Sequence, residues 1–73
     1  MKKALIVGVA GFVGSYLVRE LMKDGSMKIH GTKLPSQQMF MENVQMHDLD
    51  ILHKQEIVSL LCEIRPDYIF HLA

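Results

Sequence analysis

The run Gly8-Val9-Ala10-Gly11-Phe12-Val13-Gly14, set between an apolar stretch and an amphipathic one, constrains the fold more than any other part of this chain. Before it, Ala4-Leu5-Ile6-Val7 is aliphatic and β-branched with no polar alternation, the pattern of a parallel strand buried on both faces. After it, Val13, Leu17 and Leu21, with Val18 and Met22 beside them, recur at helical spacing, while Arg19, Glu20, Lys23 and Asp24 take the other side. Gly25 follows the last periodic residue and suits a helix stop. The segment reads as a strand that turns into a helix through a glycine gap.

Such a gap is the size of a phosphate. A pyrophosphate has to reach backbone N–H groups at a helix N-terminus, and a Cβ in the way would block it. Gly11 is the candidate for that approach, Gly8 for the tight turn out of the strand, and Gly14 for close packing of the first helical turn on the sheet. Phe12 and Val13 supply further backbone N–H groups. The glycines are spaced three and three, so they do not fit the G-x-G-x-x-G fingerprint of dinucleotide-binding loops. A glycine-rich turn with no ligand is the competing reading.

Met27-Lys28-Ile29-His30-Gly31-Thr32 alternates weakly and reads as a second strand, ended by Pro35 and the polar Ser36-Gln37-Gln38. Met39 to Asn43 is expected to form one helical turn. Val44-Gln45-Met46-His47 is a short third strand that stops at Asp48. Between Ile51 and Arg65, Ile57, Leu60, Leu61 and Ile64 keep helical spacing; Pro66 cannot continue that helix, and Tyr68-Ile69-Phe70-His71-Leu72-Ala73 reads as a fourth, buried strand. This order is the N-terminal half of a Rossmann doubly wound parallel α/β sheet. Right-handed crossovers give strand order 3-2-1-4, with a ligand crevice at the carboxyl ends of strands 1 and 4.

Seventy-three residues make one domain at most, and such a chain buries only about 60 per cent of its unfolded surface. Strand 4 would be left as an apolar edge, so residues 1–73 are expected to be a partial domain, a fragment of a larger enzyme. Formal net charge is zero, with both signs interspersed, which gives no footprint for nucleic acid or an anionic membrane. No apolar stretch approaches the roughly 20 residues of a spanning helix, so a cytoplasmic protein is expected. Cys62 has no partner for an internal disulfide and falls in an apolar helix stretch, where a buried, inert thiol is expected.

The segment Ala4-Leu5-Ile6-Val7-Gly8-Val9-Ala10-Gly11-Phe12-Val13-Gly14-Ser15-Tyr16-Leu17 resembles the opening of the extended short-chain dehydrogenase/reductase family, the NAD(P)-dependent epimerases and dehydratases. That family's loop has glycines spaced three and three. Asp48-Leu49 resembles its adenine-contacting pair, and Phe70-His71-Leu72-Ala73 resembles the end of its fourth strand beside the cofactor, which places Leu72 and Ala73 against the ligand. Gly14-Ser15-Tyr16-Leu17, Asp48-Leu49-Asp50-Ile51-Leu52 and Arg65-Pro66-Asp67-Tyr68-Ile69 are similar in wording to GDP-mannose 4,6-dehydratases and GDP-4-keto-6-deoxymannose reductases. The resemblance implies a nucleotide-sugar substrate and a homo-oligomeric assembly for the full-length protein.

An NAD-specific site places an acid at the end of strand 2, about 20 residues past the glycines, where it accepts from the ribose hydroxyls. Here that stretch reads Gly31-Thr32-Lys33, with Asp24 too early and Glu42 too late. The missing carboxylate removes a barrier to a 2′-phosphate, Lys33 supplies a cation, and Thr32 and Ser36 can donate hydrogen bonds. NADP or NAD is the expected cofactor, with NADP favoured, unless Lys33 is only a solvated loop lysine. Asp48 has two compatible readings, an N-cap for a helix beginning near Leu49 and an acceptor from the adenine amino group as in the family. Asp50 reads as a first-turn helix acid.

The family's hydride chemistry uses a Tyr-x-x-x-Lys pair, in which the lysine lowers the tyrosine pKa so that the phenolate takes a proton from the substrate hydroxyl. Tyr16 is followed four residues on by Glu20, and Tyr68 by Leu72, so the pair is absent from this sequence. No catalytic residue is assigned, and the 73-residue chain alone is expected to be inactive. The four histidines have no metal-ligand spacing. His71, at a strand end, reads as a packed or hydrogen-bonded structural residue, and Tyr16 and Tyr68 as core or semi-buried aromatics. Two rivals remain: a non-catalytic Rossmann-like module that senses dinucleotides, and a family reductase acting on a non-nucleotide carbonyl compound.

Overall fold

A computed structural model describes residues 1–72. Along the chain lie strand β1 (Lys2–Val7), helix α1 (Phe12–Met22), strands β2 (Met27–Lys33) and β3 (Val44–Asp48), helix α2 (Lys54–Ile64) and strand β4 (Tyr68–His71). The strands form one parallel sheet in the order β3-β2-β1-β4. The expected architecture is therefore the observed one.

The unbroken apolar run of β1 has a direct cause in this topology, because β1 is the central strand and each face meets a different helix. Leu5 and Val7 pack with Leu49, Leu60 and Ile64 on the α2 side. Ile6 packs with Val9, Val18, Ile29 and Val44 on the α1 side. Beyond the strands the chain stays pinned to the sheet. The Val9 amide donates to Thr32 O at 2.9 Å, Leu49 N to Lys33 O at 2.8 Å, and Leu72 N to Val7 O at 2.9 Å.

At the opposite end of the sheet, Asp67 ties β4 to β1. Its amide donates to Lys3 O at 2.8 Å, and its Oδ2 accepts from Lys3 N at 2.8 Å. The turn into this strand is made by Arg65, which ends α2 in the left-handed region with φ 51° while its amide donates to Leu61 O. Pro66 then prevents further helix.

Several expectations are corrected. Residues Met39 to Asn43 form no helical turn. They run without regular structure into a turn, because Met39 and Met41, two residues apart as in extended chain, both pack on the α1-side core, and Asn43 takes φ 69° to enter β3. Helix α2 begins at Lys54 rather than near Leu49 or Ile51, since Asp50 first closes its own turn, its Oδ1 accepting from Leu52 N at 3.0 Å and its carbonyl from His53 N at 2.9 Å. Asp48 is therefore no N-cap, and Asp50 is not in the first helical turn. The buried stripe of α1 runs through Gly14 and Val18, flanked by Leu17 and Leu21, whereas Val13 and Met22 face out. Cys62 lies on the outer face of α2 and is exposed, because Leu61 and Ile64 take the core positions around it.

Strand β4 is not buried: Tyr68 and Ile69 are exposed, since its hydrogen-bonding partner is β1 on one side alone among the described residues. Tyr16, on the outer side of α1, is likewise exposed, and so is His71. No hydrogen bond of the His71 side chain is formed among the described residues.

Candidate functional site

The turn after β1 is built around Val9. This residue is fully buried, and two glycines make room for it. A Cβ on Gly14 would stand 1.9 Å from the Val9 carbonyl oxygen, and one on Gly31 would stand 2.8 Å from Val9 Cγ1. The close packing expected of Gly14 is thus against the loop itself. Gly31, on β2, lets Val9 reach the sheet, a role that a glycine inside a strand signals as close backbone approach.

Gly8 and Gly11 adopt φ 81° and 117°, a region that side chains other than glycine rarely enter. Around Gly11 no atom of the described residues lies within 4 Å of where a Cβ would be. Gly11 is also the N-cap of α1 and provides no side-chain cap, so the amides of the first turn, including Phe12, Val13 and Gly14, have no helical acceptor. Ser15 is already engaged, with both its amide and its hydroxyl donating to Gly11 O. Phe12 and Val13 are strongly exposed. An anion approaching this end meets unpaired donors and a helix-dipole positive end.

Beside this turn, at the carboxyl ends of the strands, a cleft of about 470 Å³ is lined by Gly8, Ala10, Thr32, Lys33, Leu49 and Leu72, with the 50–52 turn closing one side. Five sequence-predicted site residues therefore meet in one place. Ala73 lies outside the described residues. Asp48 borders a shallower depression on the α2 side instead.

Polar groups at the cleft are largely committed. Thr32 is buried, and its Oγ1 accepts from Gly8 N at 2.9 Å, which fixes the first glycine turn to β2. Lys33 Nζ donates to Asp48 Oδ1. Lys33 is accordingly not a solvated loop lysine, as its side chain is 15% exposed against 57% for Asp48. Leu49 is 4% exposed and belongs to the α2-side core, so it can offer only an apolar edge to the cleft.

Away from the cleft, His30 on β2 is buried and stacks on His47 of β3, with His30 Nδ1 2.9 Å from His47 Nε2. His30 Nε2 has no partner among the described residues. Burial, reinforced by His47, Lys28 and Lys3, lowers the His30 pKa, with Glu63 opposing. Among the described residues no group of three or more His, Cys, Asp or Glu gathers into a metal-binding arrangement, and no helix is long and apolar enough to cross a membrane.

Residues 4–73 match the model of the NAD dependent epimerase/dehydratase family. The chain belongs to this family. The chain is 31% identical over 87 residues to a GDP-mannose 4,6-dehydratase of Yersinia enterocolitica, spanning 100% of this chain and 23% of that protein. It is 27% identical over 77 residues to a UDP-glucose 4-epimerase of Mycoplasma pneumoniae, spanning 97% of this chain and 22% of that protein. In three dimensions it resembles the UDP-glucose 4-epimerase of Thermus thermophilus solved in complex with NAD. The TM-score is 0.81 and the identity 26%, over 97% of this chain and 24% of that one. This member of the epimerase/dehydratase family thus spans less than a quarter of these relatives' length, and that quarter carries the glycine turn and the cleft.

Proposed function

We propose that this chain is the dinucleotide-binding portion of an NAD(P)-dependent nucleotide-sugar epimerase, dehydratase or reductase. One observation carries the reading: the open, uncapped start of α1 at Gly11 and the cleft at the ends of β1, β2 and β4 are contiguous, so a pyrophosphate and the nucleoside attached to it have adjoining places. Phe12, Val13 and Gly14 offer their backbone amides to the pyrophosphate, Gly11 keeps the approach open, and Gly8, its own amide held by Thr32 Oγ1, makes the turn that presents them. Thr32 and Lys33 meet the adenosine ribose, Asp48 and Leu49 the adenine, and Leu72 with Ala73 the cofactor beyond the pyrophosphate. The nucleotide-sugar class is drawn from the relatives, a GDP-mannose dehydratase and UDP-glucose epimerases.

The nicotinamide supplies a hydride acceptor and donor when bound. This chain's own contribution is binding and orientation, because it contains no Tyr-x-x-x-Lys pair to move the accompanying proton. It binds cofactor without turning over substrate. With no carboxylate at the end of β2, the cleft accepts NADP(H) at least as tightly as NAD(H).

Fluorescence titration of the full chain with NADH and NADPH tests this. Both bind, and Gly11→Ala weakens both by about tenfold or more, because it strains the backbone and puts a methyl group on the open side of the turn. Undiminished binding by Gly11→Ala contradicts the pyrophosphate placement. NADH binding about tenfold or more tighter than NADPH contradicts the preference.

A further inference from the structure

We propose that Asp48 sets the cofactor preference of this cleft by restraining Lys33, a positioning role that rests on the dinucleotide reading above. The two residues end neighbouring strands, β2 and β3, and are direct register partners. The Leu49 amide, hydrogen-bonded to Lys33 O at 2.8 Å, continues the pairing past Asp48. The backbone therefore delivers both side chains to one place, and Lys33 Nζ donates to Asp48 Oδ1.

Among the described residues lining the cleft, Lys33 is the cation and Asp50 the acid. Asp50 Oδ1 already accepts from Leu52 N. A ribose with free hydroxyls needs no cation and leaves the Lys33–Asp48 pair intact. A ribose 2′-phosphate brings between one and two negative charges and calls for a cationic partner. It has to compete with Asp48 for one ammonium group, and it meets the carboxylate charge at short range while doing so. Neutralising Asp48 releases Lys33 and removes that repulsion together. Because the Asp48 carboxylate is more than half exposed, the pair is weakened by solvent, and the restraint moves preference by a modest factor rather than abolishing binding.

Asp48 is also assigned an adenine contact, which is common to both cofactors and cancels in their ratio. The test is a double-mutant cycle on the full chain, reading the Kd of NADH divided by that of NADPH for wild type, Asp48→Asn, Lys33→Met and the double variant. Asn and Met keep the side-chain shapes, and Lys33→Gln serves as a second neutral variant should Lys33→Met fail to fold. Asp48→Asn raises the ratio about 3- to 10-fold, Lys33→Met lowers it, and Asp48→Asn raises it clearly less once Lys33 is neutral, because only the direct repulsion is then removed. A rise as large in the Lys33→Met background as in wild type overturns the proposal, because Asp48 would then act on the phosphate directly and not through Lys33. An unmoved ratio with both cofactors bound overturns the proposal alone. A wild-type chain that binds neither cofactor overturns the dinucleotide reading and the proposal with it.

Discussion

Gly14 and Gly11 are both glycines of one turn, yet they are there for opposite reasons. At Gly14 any Cβ collides with the Val9 carbonyl, so the constraint is internal packing. Overpacking of this kind costs about 1–3 kcal/mol, which outweighs the roughly 1 kcal/mol that alanine gains in a helix. Gly14→Ala is therefore expected to lose up to about 2 kcal/mol of stability, read as a lower urea midpoint, and an unchanged midpoint would show that the loop yields. At Gly11 the surroundings are open and the constraint is φ 117° together with whatever approaches from outside. Approach at Gly11 and packing at Gly14 were already readable in the sequence, but not that Gly14 packs against the Val9 carbonyl of the loop itself. Gly31 went unnoticed because its meaning depends on Val9, more than 20 positions away in the chain. Lys33 was named as a cation, but its pairing with Asp48 escaped in the same manner, since that pairing exists only once β2 and β3 align in register.

The elements were legible: the unbroken apolar run of β1, the helical spacing of α1 and α2, the weak alternation of β2 and the glycine or proline stops between them give their order. Boundaries were less so where a polar side chain made its own turn, as Asp50 does ahead of α2, which delays the helix to Lys54. At the other end of α2, Arg65 holds a left-handed conformation that suits glycine. Arg65→Gly is expected to raise stability by up to about 1 kcal/mol, and a lower midpoint in denaturant would mean that the Arg side chain supplies more than the strain removes. Across β2 and β3, His30 is held neutral by burial. Its folded pKa is depressed, so as pH falls below about 6.5 the unfolded chain takes up the proton first. Stability therefore declines from near pH 6.5 down to the folded-state pKa and stops declining from this cause below it. His30→Phe should flatten that slope in unfolding experiments between pH 7 and 5, measured about the ordinary histidine pKa; an unchanged slope would assign it to other groups.

At the scale of the molecule, the parallel order β3-β2-β1-β4 puts the central strand between two helices and brings the strand carboxyl ends together beside the glycine turn. Ala4, Leu5 and Ile6 are 0–1% exposed, so β1 amides are expected to exchange more slowly than those of the outer strand β3, whose far edge has no partner strand among the described residues. Faster exchange in β1 than in β3 would contradict the assignment of the core. The sequence also carried the family likeness, because turn, acid after strand 3 and end of strand 4 occur in order along one chain. It said little of side-chain exposure on α1, α2 and β4, where a residue's neighbours rather than its type decide burial. Cys62 and Tyr68 are the clearest cases. The central claim, that the glycine turn and the adjoining cleft hold one dinucleotide, is tested most directly by a crystal structure of the full chain grown with NADH or NADPH. The pyrophosphate is expected within hydrogen-bonding distance, about 3 Å, of the Phe12 and Val13 amides, with adenosine between Thr32 and Leu49. A cofactor bound elsewhere, leaving the Gly11 turn and this cleft untouched, would contradict it.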